Sequence, residues 1–220
     1  MWRSFLETGS PNHFTRLLIM RLLEAITENE MVAVFLKTEI NSVRYSADIL
    51  ALLRRDEMSR RIIDMPDIRN QEENAYRIRL LGDFRGYKQG RDLFLSFPDD
   101  VSWYRAMLSR EELDRVRYID YSYWNELSGG SRLPADAATN IRAGKVVFGQ
   151  STQGFLNLAR ELQQGAKFPE LILTGVSPTS DLVALEGHVR LTTYFLAPHC
   201  IPDELQVIVG FSPDFERING

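Results

Sequence analysis

The stretch Asp181-Leu182-Val183-Ala184-Leu185-Glu186-Gly187-His188-Val189-Arg190-Leu191-Thr192-Thr193-Tyr194-Phe195-Leu196-Ala197 decides how the rest of the chain is read. Leu182 to Leu185 is an apolar run of strand length, and Leu191, Tyr194 and Phe195 follow at the i, i+3, i+4 spacing of a helix packed on one face. A strand therefore runs directly into a helix. Gly187 stands at the joint, where a residue without Cβ takes backbone angles closed to others and lets a second group come close. The first helical turn, from about His188 to Leu191, has free N–H groups at the positive end of the helix dipole. Such a joint suits an anion, and Arg190 is placed to complete it with two parallel hydrogen bonds to phosphate oxygens. A salt bridge from Arg190 to Glu186 or Asp181 is the plainer alternative.

Working outward, Thr152 to Gln164 reads as a helix with Phe155, Leu158, Ala159 and Leu162 on one face and Gly165 as its C-terminal cap. Pro169 introduces Leu171-Ile172-Leu173 as a buried strand, and Pro202 introduces a second one at Leu205-Gln206-Val207-Ile208-Val209. With the Glu186-Gly187-His188-Val189-Arg190 box among them, these elements resemble, in order, the nucleotide-binding core of the ParB/sulfiredoxin superfamily over about residues 145–210. The resemblance implies a mixed α/β fold with a ParB/sulfiredoxin-like core at 121–220 and a largely helical N-terminal extension at 1–120. It also implies nucleotide phosphates, ATP or CTP with Mg2+, bound at the joint.

The departures narrow that implication. His188, Val189, Thr192 and Thr193 stand where ParB proteins carry Glu, Arg, Arg and Ala, which argues against ParB-style CTP hydrolysis and for a smaller phosphate ligand or a different pocket. Sulfiredoxin chemistry needs a cysteine directly after the glycine; His188 is there instead, and Cys200 lies beyond Pro198. The Gly-His-x-Arg form is similar to boxes in ParB-like free-serine kinases, so phosphoryl transfer to a small molecule is the enzyme reading that the resemblance favours, with nucleotide hydrolysis beside it. Only Phe211 to Gly220 follow the core, so the helix-turn-helix module of ParB is not expected.

Within the box, Glu186 is expected to hold the magnesium ion or act as a general base, or else to cap the helix it precedes. His188 is expected to contact phosphate or move a proton, with an unpartnered surface histidine as the alternative. Thr192 and Thr193 are candidates for phosphate contact unless they satisfy the early helix backbone. A second candidate phosphate loop is Ser128-Gly129-Gly130-Ser131-Arg132, ahead of a helix opened by Pro134 and running to Ile141. It lacks the Gly-Lys-Ser/Thr ending of a Walker loop, and a plain surface turn has the same composition.

The remaining chain is less specific. Phe14 to Ile26 reads as a helix, apolar enough to be central or to sit in a homodimer interface. Met31 to Leu36 reads as a buried strand, with a helix competing for the same residues. Ser42 to Leu81 is mostly helical and, with Arg85 and Arg91 beyond it, rich in arginine. Such arginines are ordinarily solvated and paired with neighbours such as Asp56, Glu57, Glu72 and Glu73; several on one face would make a polyphosphate or nucleic-acid surface. Asp92 to Phe97 reads as a strand, and a helix from about Asp100 has Trp103, Met107 and Leu108 inward. Ser109-Arg110-Glu111-Glu112 is a capping box that opens another helix. The aromatic cluster Tyr118, Tyr121, Tyr123 and Trp124 suits a seam between layers, or a surface on which a nucleobase stacks.

Across all 220 residues, 44% are hydrophobic and 25% charged, which is the composition of an ordinary globular chain, and the net charge of −4 argues against a nucleic-acid coat protein. A single cysteine and no apolar run of membrane-spanning length lead to an expectation of a cytoplasmic protein without a membrane partner. Two functions from different classes follow. One is binding of a nucleotide or other phosphorylated small molecule with phosphotransferase or NTPase chemistry; the other is a non-catalytic ligand-sensing or protein-interaction adaptor. A nuclease is disfavoured, because no second carboxylate stands at metal-ligand spacing.

Overall fold

A computed structural model of the chain describes residues 20–216. Strand β1 (Arg21–Ile26) is followed by helices α1 (Glu28–Glu39), α2 (Ser46–Arg55), α3 (Arg61–Asp64) and α4 (Gln71–Arg85). Then come β2 (Ser102–Ser109), α5 (Arg110–Leu113), β3 (Arg117–Tyr118), α6 (Ser122–Ser128), α7 (Pro134–Arg142) and α8 (Gln153–Gln163). The chain closes with β4 (Leu171–Gly175), β5 (Val183–Glu186), α9 (His188–Leu196) and β6 (Glu204–Phe211).

The fold is mixed α/β. Its six strands form one sheet in the order β1-β2-β6-β4-β5-β3, with β4 parallel to β6, β3 parallel to β5, and the other pairs antiparallel. Strand alternation sends successive side chains to opposite faces, and each face has its own core. Leu171, Leu173, Val207 and Val209 pack with residues of α7, α8 and α9, whereas Ile172 and Ile208 pack with Phe35, Ile49, Ile63 and Leu80 from α1 to α4. The sheet is thus sandwiched between two helical layers. β1 and β2, from the first 120 residues, join this sheet through β6.

Several elements after Pro134 form where the sequence places them: the helix opened by Pro134, the helix ending before Gly165, and strands β4, β5 and β6. The capping box at Ser109 is also present. Its Oγ accepts from the Glu112 N–H at 3.3 Å, while Glu112 Oε2 accepts from the Ser109 N–H at 2.7 Å.

Four elements of the first half differ. The helix expected over Phe14–Ile26 is a strand from Arg21 onward, paired with β2; residues 14–19 lie outside the described residues. Met31–Leu36 lies in helix α1, because Thr27 and Glu30 make a reciprocal cap that launches a helix through β-branched residues. The helix expected from Asp100 is β2, whose partner β6 matches it residue for residue from Ser102 to Ser109. Asp92–Phe97 is not a strand; Asp92 and Ser96 take φ values of +52° and +58°, and Asp92–Phe94 forms a 3-10 turn that buries Leu93 and Phe94.

Among the described residues no helix is long and apolar enough to cross a membrane. The arginine-rich segment is largely ion-paired: Arg55 to Asp56 and Asp83, Arg60 to Asp64, Arg79 to Asp56 and Arg91 to Asp92. Arg77 is buried, where its guanidinium donates to the carbonyls of Ile62 at 3.0 Å and Asp67 at 2.9 Å.

Candidate functional site

β5 ends at Glu186, and α9 begins at His188 with Gly187 between them at φ +100° and no side-chain cap. A Cβ on Gly187 would stand 2.6 Å from Leu171 Cδ2 and 3.0 Å from Arg190 Nη2, so the glycine is required twice, by its backbone angle and by its neighbours. The first main-chain hydrogen bond across the joint is the Leu191 N–H to the Gly187 carbonyl at 2.8 Å. The earlier N–H groups of the turn are those that a helix start leaves over.

Arg190 folds back across the glycine and is buried. Its Nη1 donates to the carbonyls of Pro169 at 2.9 Å and Glu170 at 3.0 Å, and its Nη2 donates to the Glu186 carboxylate. The guanidinium therefore ties the start of α9 to the entry of β4. Burial lowers its pKa, and the Glu39 carboxylate acts in the opposite direction. The carboxylate of Glu186 is taken up by the same ion pair. Among the described residues no three His, Cys, Asp or Glu side chains gather as a metal centre, and one carboxylate already paired with arginine is a poor donor set for Mg2+.

The threonines close their own helix. Thr192 Oγ1 donates to the His188 carbonyl at 2.7 Å and shares a hydrogen bond of 2.6 Å with the Tyr118 hydroxyl, and Thr193 Oγ1 donates to the Val189 carbonyl at 2.8 Å. Both are fully buried. The Ser128–Arg132 loop is likewise satisfied internally. Ser128 Oγ donates to the Trp124 carbonyl at 2.8 Å and accepts from the Arg132 N–H at 2.9 Å; Ser131 Oγ donates to the Ser128 carbonyl at 3.2 Å. Arg132 Nε donates to the Tyr118 carbonyl at 2.9 Å, which fastens the α6–α7 turn to the end of β3.

His188 is arranged differently. Its ring stacks on Trp124 with centroids 5.0 Å apart and planes 15° apart, and Trp124 stacks in turn on Tyr118 at 4.7 Å and 29°. Burial, then the nearby Arg85 cation, push the His188 pKa down to about 3, against a hydrogen bond to the Ala184 main chain. The ring is therefore neutral at physiological pH. Its Nε2 is buried without a hydrogen-bond partner, and the interaction with the Ala184 main chain favours the proton on Nδ1, the tautomer with a lone pair on Nε2.

Arg85 reaches this joint from the last turn of α4, on the other face of the sheet. Its Cζ lies 4.6 Å above the Tyr45 ring centre, its Nη1 bonds the Tyr45 hydroxyl, and its Nε is buried without a hydrogen bond, 3.9 Å from Glu39 Oε1. Glu39, from the last turn of α1, is 6% exposed. Burial raises its pKa, while Arg85, a hydrogen bond from Ser42, Arg190 and Arg44 pull it down. The half-exposed Tyr121 completes the group; burial raises its pKa, and Arg85 and Arg44 lower it.

The residues brought together are thus Glu186, Gly187, His188 and Arg190 from the expected box, with Tyr118, Tyr121 and Trp124 from the aromatic cluster. Glu39 carries no signal in the sequence, and Arg85 stands there only as one of many arginines that could face a polyphosphate; nothing local ties either to the joint, which they meet across more than 100 residues of chain. No family model matches the chain, and neither a curated protein nor a solved structure shows significant similarity to it.

Proposed function

We propose that the chain binds the phosphates of a nucleotide, or of another phosphorylated small molecule, at the start of α9. The observation that carries this reading is the uncapped first turn of α9, which holds a neutral His188 with an unpartnered Nε2 beside the Arg85 cation. The helix start supplies N–H donors, Arg85 supplies charge, and the His188 lone pair accepts a hydrogen bond from a ligand hydroxyl or amine. Arg190 serves by holding the joint in shape, and magnesium enters only as the ion carried by the ligand's phosphates.

Phosphoryl transfer to a small-molecule hydroxyl, or nucleotide hydrolysis, is the chemistry that this arrangement would extend to. A histidine with a pKa near 3 is a hydrogen-bond acceptor and a weak proton acceptor. A bound phosphate dianion offsets Arg85 and raises that pKa, so proton transfer to Nε2 depends on ligand binding.

Calorimetric titration with ATP, ADP, CTP and GTP in the presence of Mg2+ tests the reading, on wild type and on Val189→Asp. Val189 is 40% exposed in the first turn of α9. A carboxylate there suits the helix dipole but repels phosphate, so the variant keeps its fold and loses the ligand. Equal affinity in the two proteins, or no binding of any nucleotide to wild type, refutes the proposal.

A second reading, a ligand-sensing or protein-interaction adaptor, draws on β1. Among the described residues β1 lies at the sheet edge and exposes Leu22 at 38% and Leu23 at 44%, an apolar edge of the kind that takes a partner. It expects nucleotide binding without turnover, and release of inorganic phosphate or transfer to a small hydroxyl acceptor counts against it.

A further inference from the structure

Three parts of the chain converge on Glu39. Arg85 comes from α4, Arg190 from α9, and Ser42 and Arg44 from the segment after α1. The carboxylate is buried, yet its approach to Arg85 is long, with Nε to Oε1 at 3.9 Å, and Arg85 Nε makes no hydrogen bond at all. A guanidinium whose Nε–H is buried and unused is held short of satisfaction, and such groups ordinarily find a partner. Arg190 is held inward instead, with Nη1 on the Pro169 and Glu170 carbonyls and Nη2 on Glu186. Arg85 is therefore the cation whose buried Nε has a donor to spare, and Glu39 is the anion 3.9 Å from that donor.

We propose that Arg85 is the phosphate-binding arginine of this site and that Glu39 is its resident counter-ion, which a bound phosphate displaces as the Glu39 carboxylate takes up one proton from solvent. The proposal rests on the reading that phosphates bind at the start of α9. In the free protein Glu39 balances Arg85. When a phosphate oxygen accepts from Arg85 Nε, two anions compete for one cation in a buried space, and the carboxylate is the one that can neutralise. The direction of the Glu39 pKa agrees, since burial raises it already. The other groups described around the carboxylate do not take this role: Arg44, Arg85 and Arg190 are donors without an acceptor site, Glu186 is paired with Arg190, burial raises the Tyr121 hydroxyl, and His188 is pushed down to about 3.

Proton uptake makes affinity depend on pH. Each linked proton weakens binding by up to about tenfold per pH unit above the free-state pKa of Glu39. ATP with Mg2+ is the probe, titrated between about pH 5.5 and 8.5 into wild type, Glu39→Gln, Val189→Asp and the double variant Glu39→Gln/Arg85→Gln. The ATP phosphates have a pKa of their own, and comparison of wild type with Glu39→Gln removes that contribution because the ligand is the same. Glutamine keeps the size of Glu39 and one acceptor oxygen for Ser42, and the double variant removes both charges of the pair together, so both are expected to fold.

Glu39→Gln is expected to bind ATP about tenfold more tightly than wild type near pH 8, with the gap closing as the pH falls. The double variant is expected to lose at least about tenfold in affinity relative to Glu39→Gln. If Glu39→Gln and wild type run parallel at all pH values, the counter-ion role is overturned. If the double variant binds as Glu39→Gln does while Val189→Asp abolishes binding, Arg85 is not the phosphate ligand although the joint remains a phosphate site. Absence of ATP binding to wild type overturns both proposals together.

Discussion

Replacing Gly187 by alanine separates the two demands that the joint makes on this position. The first is the backbone: at φ +100° an L-residue is strained, by about 1–2 kcal/mol. The second is space. The new Cβ would stand 2.6 Å from Leu171 Cδ2 and 3.0 Å from Arg190 Nη2, and both neighbours are buried, at 1% and 8% exposure, so neither moves freely. Overpacking of this kind costs about 1–3 kcal/mol, and the sum of about 2–5 kcal/mol is large beside an ordinary domain stability of about 5–15 kcal/mol. Gly165 supplies the control. Its φ is +95°, and a Cβ there meets nothing within 4 Å, so Gly165→Ala carries the backbone cost alone. Urea unfolding of both variants, with unchanged denaturant slopes as the check on two-state behaviour, should place Gly187→Ala at least about 1 kcal/mol below Gly165→Ala. Equal losses, within about 0.5 kcal/mol, would refute the claim that the Arg190 guanidinium and Leu171 pack against the glycine.

The His188 pKa lies below its unfolded value, so between pH 6.5 and about 3 the unfolded chain binds the extra proton and stability falls as the pH falls. His188→Phe should flatten that part of the stability profile, by up to about 5 kcal/mol across the window, and a His188 ring resonance titrating near 6.5 would contradict the burial. Thr192→Val leaves the buried Tyr118 hydroxyl without its partner at 2.6 Å and should cost about 1–3 kcal/mol. In a double-mutant cycle with Tyr118→Phe a coupling of about 1 kcal/mol is expected, and additive losses would show that the bond contributes nothing. Ser109→Ala removes the cap between β2 and α5 and should lower stability by about 1 kcal/mol in urea unfolding.

The readable parts of the fold are those whose local pattern and final environment agree. Pro134, Gly165 and the apolar runs of β4, β5 and β6 all act within a few residues of themselves. β1 and β2 were read as helices because Leu22, Ala25 and Ile26, and likewise Trp103, Met107 and Leu108, also satisfy a helical spacing. What decides for strand is pairing of β2 with β6, a contact about 100 residues away that no local window contains. The same limit applies to the site. Gly187 and the strand-to-helix turn were legible because glycine, strand and helix signals adjoin in sequence. That Arg190 would turn inward depends on the carbonyls of Pro169 and Glu170, some 20 residues earlier, and a guanidinium looks the same in sequence whether it faces ligand or protein.

The charge arithmetic of the joint is what ties its parts to one ligand class. Arg44, Arg85 and Arg190 face Glu39 and Glu186 in an acidic protein, so the local balance is one positive charge with Glu39 ionised and two with Glu39 protonated. To either balance the start of α9 adds its partial positive charge. If phosphates bind here as proposed, a monoanion matches the first state and a phosphate dianion the second, and the protonation of Glu39 would set which charge is accepted. Arg190 contributes to that balance while turned inward onto Pro169, Glu170 and Glu186, so in the proposed reading the arginine from the opposite helical layer is the one left to meet the phosphate. On this view the two layers are coupled at one point. Loosening α4 by shortening Arg85 to lysine should then weaken ATP binding by several-fold without changing the stability of α9, because lysine keeps the charge and loses the planar fork. Hydrogen exchange of the Leu191 and Thr192 amides, measured beside the ATP titration, checks this. Faster exchange in Arg85→Lys would mean that Arg85 supports the helix start itself and that its effect on binding is indirect.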